Sequence, residues 1–269
     1  MSSSILYLAD RVAVVTGGAS GIGKACCIKL FALGCTIVVC DTNEESGNAF
    51  VKELESTAEK GNKAQAVFMK VDLSKADETL KFAKKVLDQF GVVHILVNNA
   101  GTQIIASIEE MSDETFRFMN ELMLISPFVL TREFLPSMYE AKWGRILNIG
   151  SIHSLVAAPG KIAYTTIKHG LLGLTKGTAV EAGEHGVTVN CICPFHVRTP
   201  LVEEQTKEQA EQYNMSEDDV KDKVLLGDAA IKRFLESSEV AALCAFLCSE
   251  AANGMTGTEH RIDCGYTAK

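Results

Sequence analysis

The stretch Val12-Ala-Val-Val-Thr16-Gly17-Gly18-Ala19-Ser20-Gly21-Ile22-Gly23 decides how this chain is read. A short β-branched run ends in glycines spaced G-x3-G-x-G, and a helix-prone segment follows over about 22–33. Glycines at a strand-to-helix turn let the backbone approach a pyrophosphate closely. The helix start then offers it unpaired N–H groups and the positive end of a dipole. A glycine loop alone is weak evidence; its place between a first strand and a first helix gives it weight.

Outward from this loop, short apolar runs alternate with longer amphipathic ones. Strands are expected at 12–16, 36–40, 64–71, 95–98, 145–149 and 187–192, with a last one near 259–262. Helices are expected near 22–33, 44–59, 75–89, 113–139 and 161–184, and after the cap signal Ser237-Ser-Glu239. This alternation is that of βα units, so the fold class is α/β, a Rossmann-type doubly wound parallel sheet flanked by helices. No repeat or linker divides residues 1–269, so a single domain is expected. The polar segment from Pro200 to about Ile231 breaks the alternation after the sixth strand and reads as a surface excursion or a lid over a site.

Of 269 residues, 26 are Lys or Arg and 34 are Asp or Glu, for a formal charge of −8. An acidic chain without a basic run excludes nucleic acid as its main partner, and no apolar run approaches the ~20 residues of a bilayer span. The N-terminal residues lack the features of a leader peptide, which makes cytoplasm the expected location. Nine scattered cysteines without a C-x-x-C pair read as reduced thiols, Cys244 and Cys248 on a buried helix face. No metal site is expected among the six histidines.

Eighteen residues after Gly23, the second strand ends at Asp41. A carboxylate there accepts hydrogen bonds from ribose hydroxyls and repels a 2′-phosphate, favouring NAD over NADP; Lys24 nearby is the one feature that softens this preference. Tyr164 and Lys168, at i and i+4, share a helix face. An ammonium beside a phenol favours phenolate, so a lowered pKa for Tyr164 is expected. Ser151, after the fifth strand, is placed to hold the same substrate oxygen.

In combination, Thr16-Gly-x3-Gly-Ile-Gly23, Val71-Asp-Leu73, Asn98-Asn-Ala-Gly101, Ser151, Tyr164-x3-Lys168 and Pro194-x-x-Val197-x-Thr199 resemble the short-chain dehydrogenase/reductase family over nearly the whole chain. The resemblance implies hydride transfer between a nicotinamide and an alcohol or ketone. Tyr164 would be the acid/base, Lys168 its modulator and a ribose ligand, and Ser151 the group that orients the carbonyl. It places Gly17, Ser20, Gly21, Ile22, Gly23, Asp41, Asp72, Leu73, Asn98, Ala100, Gly101, Pro194, Val197 and Thr199 on the cofactor. Met123 stands where the family has an Asn whose main-chain carbonyl serves a proton relay, a role its own carbonyl can fill.

A narrower likeness runs through Gln103, Ser151-Ile-His153, Lys161-x-x-Tyr164 and Thr199-Pro-Leu-Val-Glu-Glu-Gln205, which resemble the bacterial type of D-3-hydroxybutyrate dehydrogenase. It implies a carboxylate pocket made by Gln103, His153, Lys161 and Gln205, with His196 at the pocket wall, and interconversion of D-3-hydroxybutyrate and acetoacetate. The partner is then a small carboxylate, and a homotetramer is expected. Phe195 stands for the usual Gly and His196 for a bulky aromatic; His94 and Cys264 replace a commoner Asp and Gly. The alternatives are another small hydroxy acid, a sugar or a 3-oxoacyl thioester as substrate, or a non-catalytic NAD sensor.

Overall fold

The computed structural model describes residues 7–58 and 63–268, with the side chains of Leu201, Gln205, Gln212 and Tyr213 outside the description. Seven strands form one parallel sheet: β1 (Val12–Thr16), β2 (Thr36–Asp41), β3 (Ala66–Lys70), β4 (Ile95–Asn98), β5 (Gly144–Ile149), β6 (Val187–Pro194) and β7 (Glu259–Ile262). Their spatial order is β3-β2-β1-β4-β5-β6-β7. The helices are α1 (Gly21–Ala32), α2 (Glu44–Ser56), α3 (Ala76–Phe90), α4 (Asp113–Asn120), α5 (Ser126–Ala141), α6 (Ile162–Ala182), α7 (Pro200–Tyr213), the one-turn α8 (Glu217–Asp219) and α9 (Ser237–Leu247).

Alternation along the strands builds two cores. Ala13, Val15, Ile37, Val39, Ile95 and Val97 face the layer of α1 and α9, where Cys244 and Cys248 are buried. Val14, Val38, Leu96 and Ile146 face α3, α5 and α6. Because β2 and β4 both pair with β1, the chain winds in opposite directions from this point. The carboxyl ends of β1 and β4 therefore open a crevice, the usual ligand position in such sheets.

Three expectations change. The single helix over 113–139 is interrupted by a π-helical turn at Glu121–Ile125. Pro127, at the start of α5, has no N–H to give the Met123 carbonyl four residues earlier, so the α-helical ladder breaks there. The sixth strand runs on to Pro194, held by β7 through the pair Pro194 and Ile262. The polar segment after it is less solvated than its composition suggests: Thr206, Gln209, Val220, Leu225 and Leu226 are buried. It packs as α7, α8 and a π turn at Val220–Leu225.

Two unusual residues gain a structural account. The His94 ring accepts the Val12 N–H at 3.1 Å, joining the entry ends of β1 and β4. Burial, with Arg11 nearby, pushes its pKa down to about 4, which keeps that acceptor lone pair free. Cys264 has φ +53°, the left-handed region that suits the commoner Gly. All nine cysteines are buried thiols. Among the described residues, no helix is long and apolar enough to cross a membrane.

Phe134 on α5 is fully buried in the second core. Phe134→Ala should lower unfolding free energy by about 3–5 kcal/mol, measured by urea titration, through lost contact and a cavity.

Candidate active site

The crevice holds a groove of about 410 Å³ lined by Gly17, Ser20, Gly21, Ile22, Asp41, Asp72, Leu73, Asn99, Ala100, Gly101 and Thr199, among others. The glycines make room for it. Gly17 has φ +60°, and a Cβ on Gly23 would stand 2.1 Å from the Gly17 carbonyl oxygen. Ser20 caps α1 without using its side chain, leaving the helix N-terminal donors for a ligand. Strand, bare helix start and glycine cradle together fit the pyrophosphate of a dinucleotide.

Asn99 holds the cradle in shape, a role the motif reading left without a residue. Its amide Nδ2 donates to the Thr16 and Gly17 carbonyls at 2.9 and 3.1 Å. Thr16 Oγ1 in turn accepts the Asn99 and Ala100 N–H groups at 2.8 and 2.9 Å. Asn98 faces away from the groove: it is buried, and its amide donates to Asn148 Oδ1 at 2.8 Å. Asn148 donates onward to Thr175, so this Asn ties β4 to β5 and α6. Its signal, two adjacent Asn at a strand end, gave no way to tell the inward from the outward one beyond the alternation of the strand.

Asp41 ends β2 at the groove wall, accepting the Ala19 and Asn43 N–H groups at 3.2 Å each. Lys24 is engaged elsewhere, 2.9 Å from Glu53 and over the Phe50 ring. The Asp72 carboxyl is held below its ordinary range by the Ser74 hydroxyl, which donates to it at 2.6 Å. Pro194 ends β6, and Val197 and Thr199 follow at the junction with a second cavity.

That second cavity, of about 90 Å³, is lined by Gln103, Ser151, His153, Lys161, Tyr164 and His196 with Ile152, Phe195, Val197, Thr199 and Val202. Six residues expected to meet the substrate thus converge from four chain segments, joined by Val197 and Thr199, which were expected at the cofactor. Gln205 lies on α7, which also carries Val202 of the cavity wall; the Gln205 side chain is outside the described residues. Ser151 caps the 3-10 turn Ile152–Ser154, and its hydroxyl hydrogen-bonds Tyr164. Tyr164 and Lys168 share a face of α6 as expected from their spacing, with the Lys168 Nζ 5.4 Å from the Tyr164 ring centre.

The expected lowering of the Tyr164 pKa by Lys168 is not found in this geometry. Burial pushes the phenol up to about 12, opposed in part by the Ser151 hydrogen bond. The Lys168 ammonium donates to the Ile149 carbonyl at 2.7 Å, and its own burial brings it down to about 8. Tyr164 therefore stands as a proton donor. Met123 is buried at the π turn against Ala163, Ile167 and Tyr164. Its side chain is packing material, and only its carbonyl, deprived of the Pro127 donor, has the character a relay needs.

Lys161 and His153 form the polar end of the cavity. The His153 Nδ1 lies 3.3 Å from the Val156 carbonyl, so Nδ1 carries the proton, and Nε2 accepts from the Lys161 ammonium at 3.3 Å. Burial first, then the Lys161 charge, pushes His153 down to about 4; burial brings Lys161 to about 8. The Gln103 Nε2 is buried with no hydrogen-bond partner among the described residues. One cation and an unpaired amide donor in one small cavity suit an anion. Among the described residues no His, Cys, Asp or Glu group is arranged to hold a metal.

A sequence model described as short chain dehydrogenase matches residues 11–210. The chain belongs to the short-chain dehydrogenase family. It is an oxidoreductase with a nicotinamide cofactor. The chain is 38% identical over 259 residues to the uncharacterized oxidoreductase YxjF of Bacillus subtilis (strain 168), covering 96% of this chain and 99% of the relative. Identity is also 38% over 262 residues to the D-beta-hydroxybutyrate dehydrogenase of Rhizobium meliloti (strain 1021), covering 96% and 99%. A crystal structure from Beutenbergia cavernae, assigned as an NAD(P) dependent gluconate 5-dehydrogenase with NADP at low occupancy, superposes with a TM-score of 0.86 at 26% identity. The match covers 98% of this chain and 100% of that one.

In this dehydrogenase Tyr164→Phe removes the buried proton donor and leaves the groove intact. Turnover should fall by roughly 10²–10⁴-fold, while dinucleotide affinity, followed by fluorescence titration, stays at the wild-type value.

Proposed function

We propose that this protein is an NAD-dependent dehydrogenase that interconverts a short 3-hydroxy carboxylate and its 3-oxo acid, with D-3-hydroxybutyrate and acetoacetate as the reference pair. The observation that carries this reading is the unpaired buried Gln103 amide, in the same cavity as Lys161, Ser151 and Tyr164. A short acid satisfies all four: its carboxylate meets Lys161 and Gln103, and its hydroxyl or carbonyl oxygen meets Ser151 and Tyr164. The nicotinamide, when bound, supplies or accepts the hydride. Tyr164 gives or takes the proton at the substrate oxygen, and Ser151 orients that oxygen. The resemblance to hydroxybutyrate dehydrogenases over nearly the full chain supports the same reading.

NAD is favoured over NADP because Asp41 lines the groove and no Lys or Arg is among the lining residues described. A 2′-phosphate there would meet a carboxylate without a compensating cation. Lys24, paired with Glu53, does not supply one. We also propose a homotetramer, for which the exposed Phe128 on α5 and Val180 on α6 are candidate contacts; sedimentation velocity at micromolar concentration tests it.

Purified protein incubated with NAD or NADP and a panel of hydroxy acids, sugars and acyl thioesters should produce reduced cofactor with NAD and short 3-hydroxy acids. Turnover with sugars or thioesters alone would overturn the reading, and tight NAD binding without turnover would favour a sensor. Asp41→Ser should narrow the NAD over NADP preference; an unchanged ratio assigns that preference to another residue.

Lys161 is charged below about 8 and neutral above it. Carboxylate binding needs the charged form, so the KM for the acid should rise as pH climbs through 8. His153 is neutral across this range and should add nothing to the slope. Lys161→Ala should raise KM at pH 7 and flatten the profile, as read from initial rates between pH 6 and 9.5.

A further inference from the structure

Among the described polar side chains of the small cavity, His196 has no part in the reaction just described, and Thr199 caps α7. Ser151 and Tyr164 attend to the reacting oxygen, and Lys161 and Gln103 to the carboxylate. The His153 ring is committed at both nitrogens, to the Val156 carbonyl and to Lys161. His196 lines the same cavity, and the hydrogen bond described for it is made by its main-chain carbonyl, which accepts the Leu235 N–H at 2.9 Å, leaving the ring to its aromatic neighbours.

Its position is fixed by aromatic packing. The Phe195 ring lies 4.5 Å from it at 60°, and the Phe234 ring 6.4 Å away at 65°. Phe195 is itself stacked on Tyr266 at 5.0 Å, so the wall behind the imidazole is braced from the C-terminal segment. Burial, reinforced by the nearby Lys161 charge, pushes the His196 pKa down to about 3. The ring is therefore neutral in the working range and presents one N–H donor and one lone pair.

That pairing decides what it suits. A hydroxyl both donates and accepts, and matches a neutral imidazole. A second carboxylate does not fit, because Lys161 is the one cation among the cavity residues and an unpaired buried anion is costly. An alkyl terminus leaves the ring nitrogens facing carbon, with the penalty of unmade hydrogen bonds.

We propose that His196 recognises a second hydroxyl on the substrate, so that the preferred acid is a short 3-hydroxy acid with a further hydroxyl on a carbon next to the reacting one. This rests on the carboxylate reading above and names the substrate class within it. The oxidised carbon and the hydride and proton transfers are unchanged; the added group is bound and does not react.

The test compares kcat/KM with NAD for 3-hydroxybutyrate, 2,3-dihydroxybutyrate and 3,4-dihydroxybutyrate in the wild type, His196→Phe and His196→Asn. The wild type should favour one of the dihydroxy acids over 3-hydroxybutyrate by at least about tenfold, since a site built around a hydroxyl discriminates against the analogue lacking it. His196→Phe keeps an aromatic ring without the nitrogens and should bring that ratio to one or below. His196→Asn, which keeps a donor and an acceptor, should retain part of the preference.

A wild-type ratio at or below one overturns the proposal and assigns the ring nitrogens to solvent. Equal loss on all three acids in His196→Phe also overturns it, because a merely structural residue would act that way. Should His196→Phe fail to fold, the wild-type and His196→Asn ratios still decide. Turnover of sugars or thioesters with none of the three acids would instead sink the carboxylate reading itself.

Discussion

The contact on which the remaining architecture depends is the knot between Thr16 and Asn99. One threonine hydroxyl receives two backbone N–H groups from the end of β4, and one asparagine amide grips two carbonyls at the end of β1. These bonds join the two strands at the place where the chain reverses its winding direction. They add to the bonds from Gly18 and Ala19 to the end of β2 in fixing the glycine loop, whose glycines lose the most conformational freedom on ordering. The knot converts a flexible loop into a rigid cradle, and the positions of Asp41, Ala100 and Gly101 around the groove follow from it.

A second buried chain carries this order across the sheet. Asn98 donates to Asn148, Asn148 to Thr175, and Thr175 to the Leu171 carbonyl. It links β4 and β5 to α6, the helix that presents Tyr164 and Lys168. Polar groups in such a place are favourable only when partnered, so the chain specifies one register between groove and catalytic helix. Lys168 adds a further link by donating to the last residue of β5. The cofactor groove and the proton donor are thus held to one frame by hydrogen bonds as well as by apolar packing.

The sequence was most legible where local chemistry repeats. Strand alternation, the glycine loop, Asp41 at a strand end and the i, i+4 pair Tyr164 and Lys168 are short-range patterns, and each falls where it was expected. What was not legible came from contacts between distant segments. Asn99 and Asn98 are neighbours with opposite destinations: Asn98 ends β4 and joins Asn148 and Thr175 toward α6, whereas Asn99 lies beyond the strand and reaches back to the end of β1. The π turn at Met123 follows from a proline four residues on, whose effect depends on the surrounding helix. The Tyr164 pKa is raised, not lowered, because burial, which spacing does not report, exceeds the influence of a lysine turned toward a carbonyl. The segment after β6 read equally as a surface excursion or a lid because composition does not show which residues pack: Thr206, Gln209, Val220, Leu225 and Leu226 are buried while Val224 and Ile231 are exposed.

Thr199 lines both the dinucleotide groove and the small cavity, and caps α7 by accepting the Val202 N–H. A change there alters cofactor fit, substrate fit and a helix cap together. By contrast Gln103, His153, Lys161, Phe195 and His196 line the small cavity and not the groove. Among the described residues Thr199 alone lines both, so the site is modular with one shared hinge pin. Divergence toward new substrates on this scaffold is open at those five positions without disturbing the dinucleotide, whereas position 199 is locked by its three simultaneous duties.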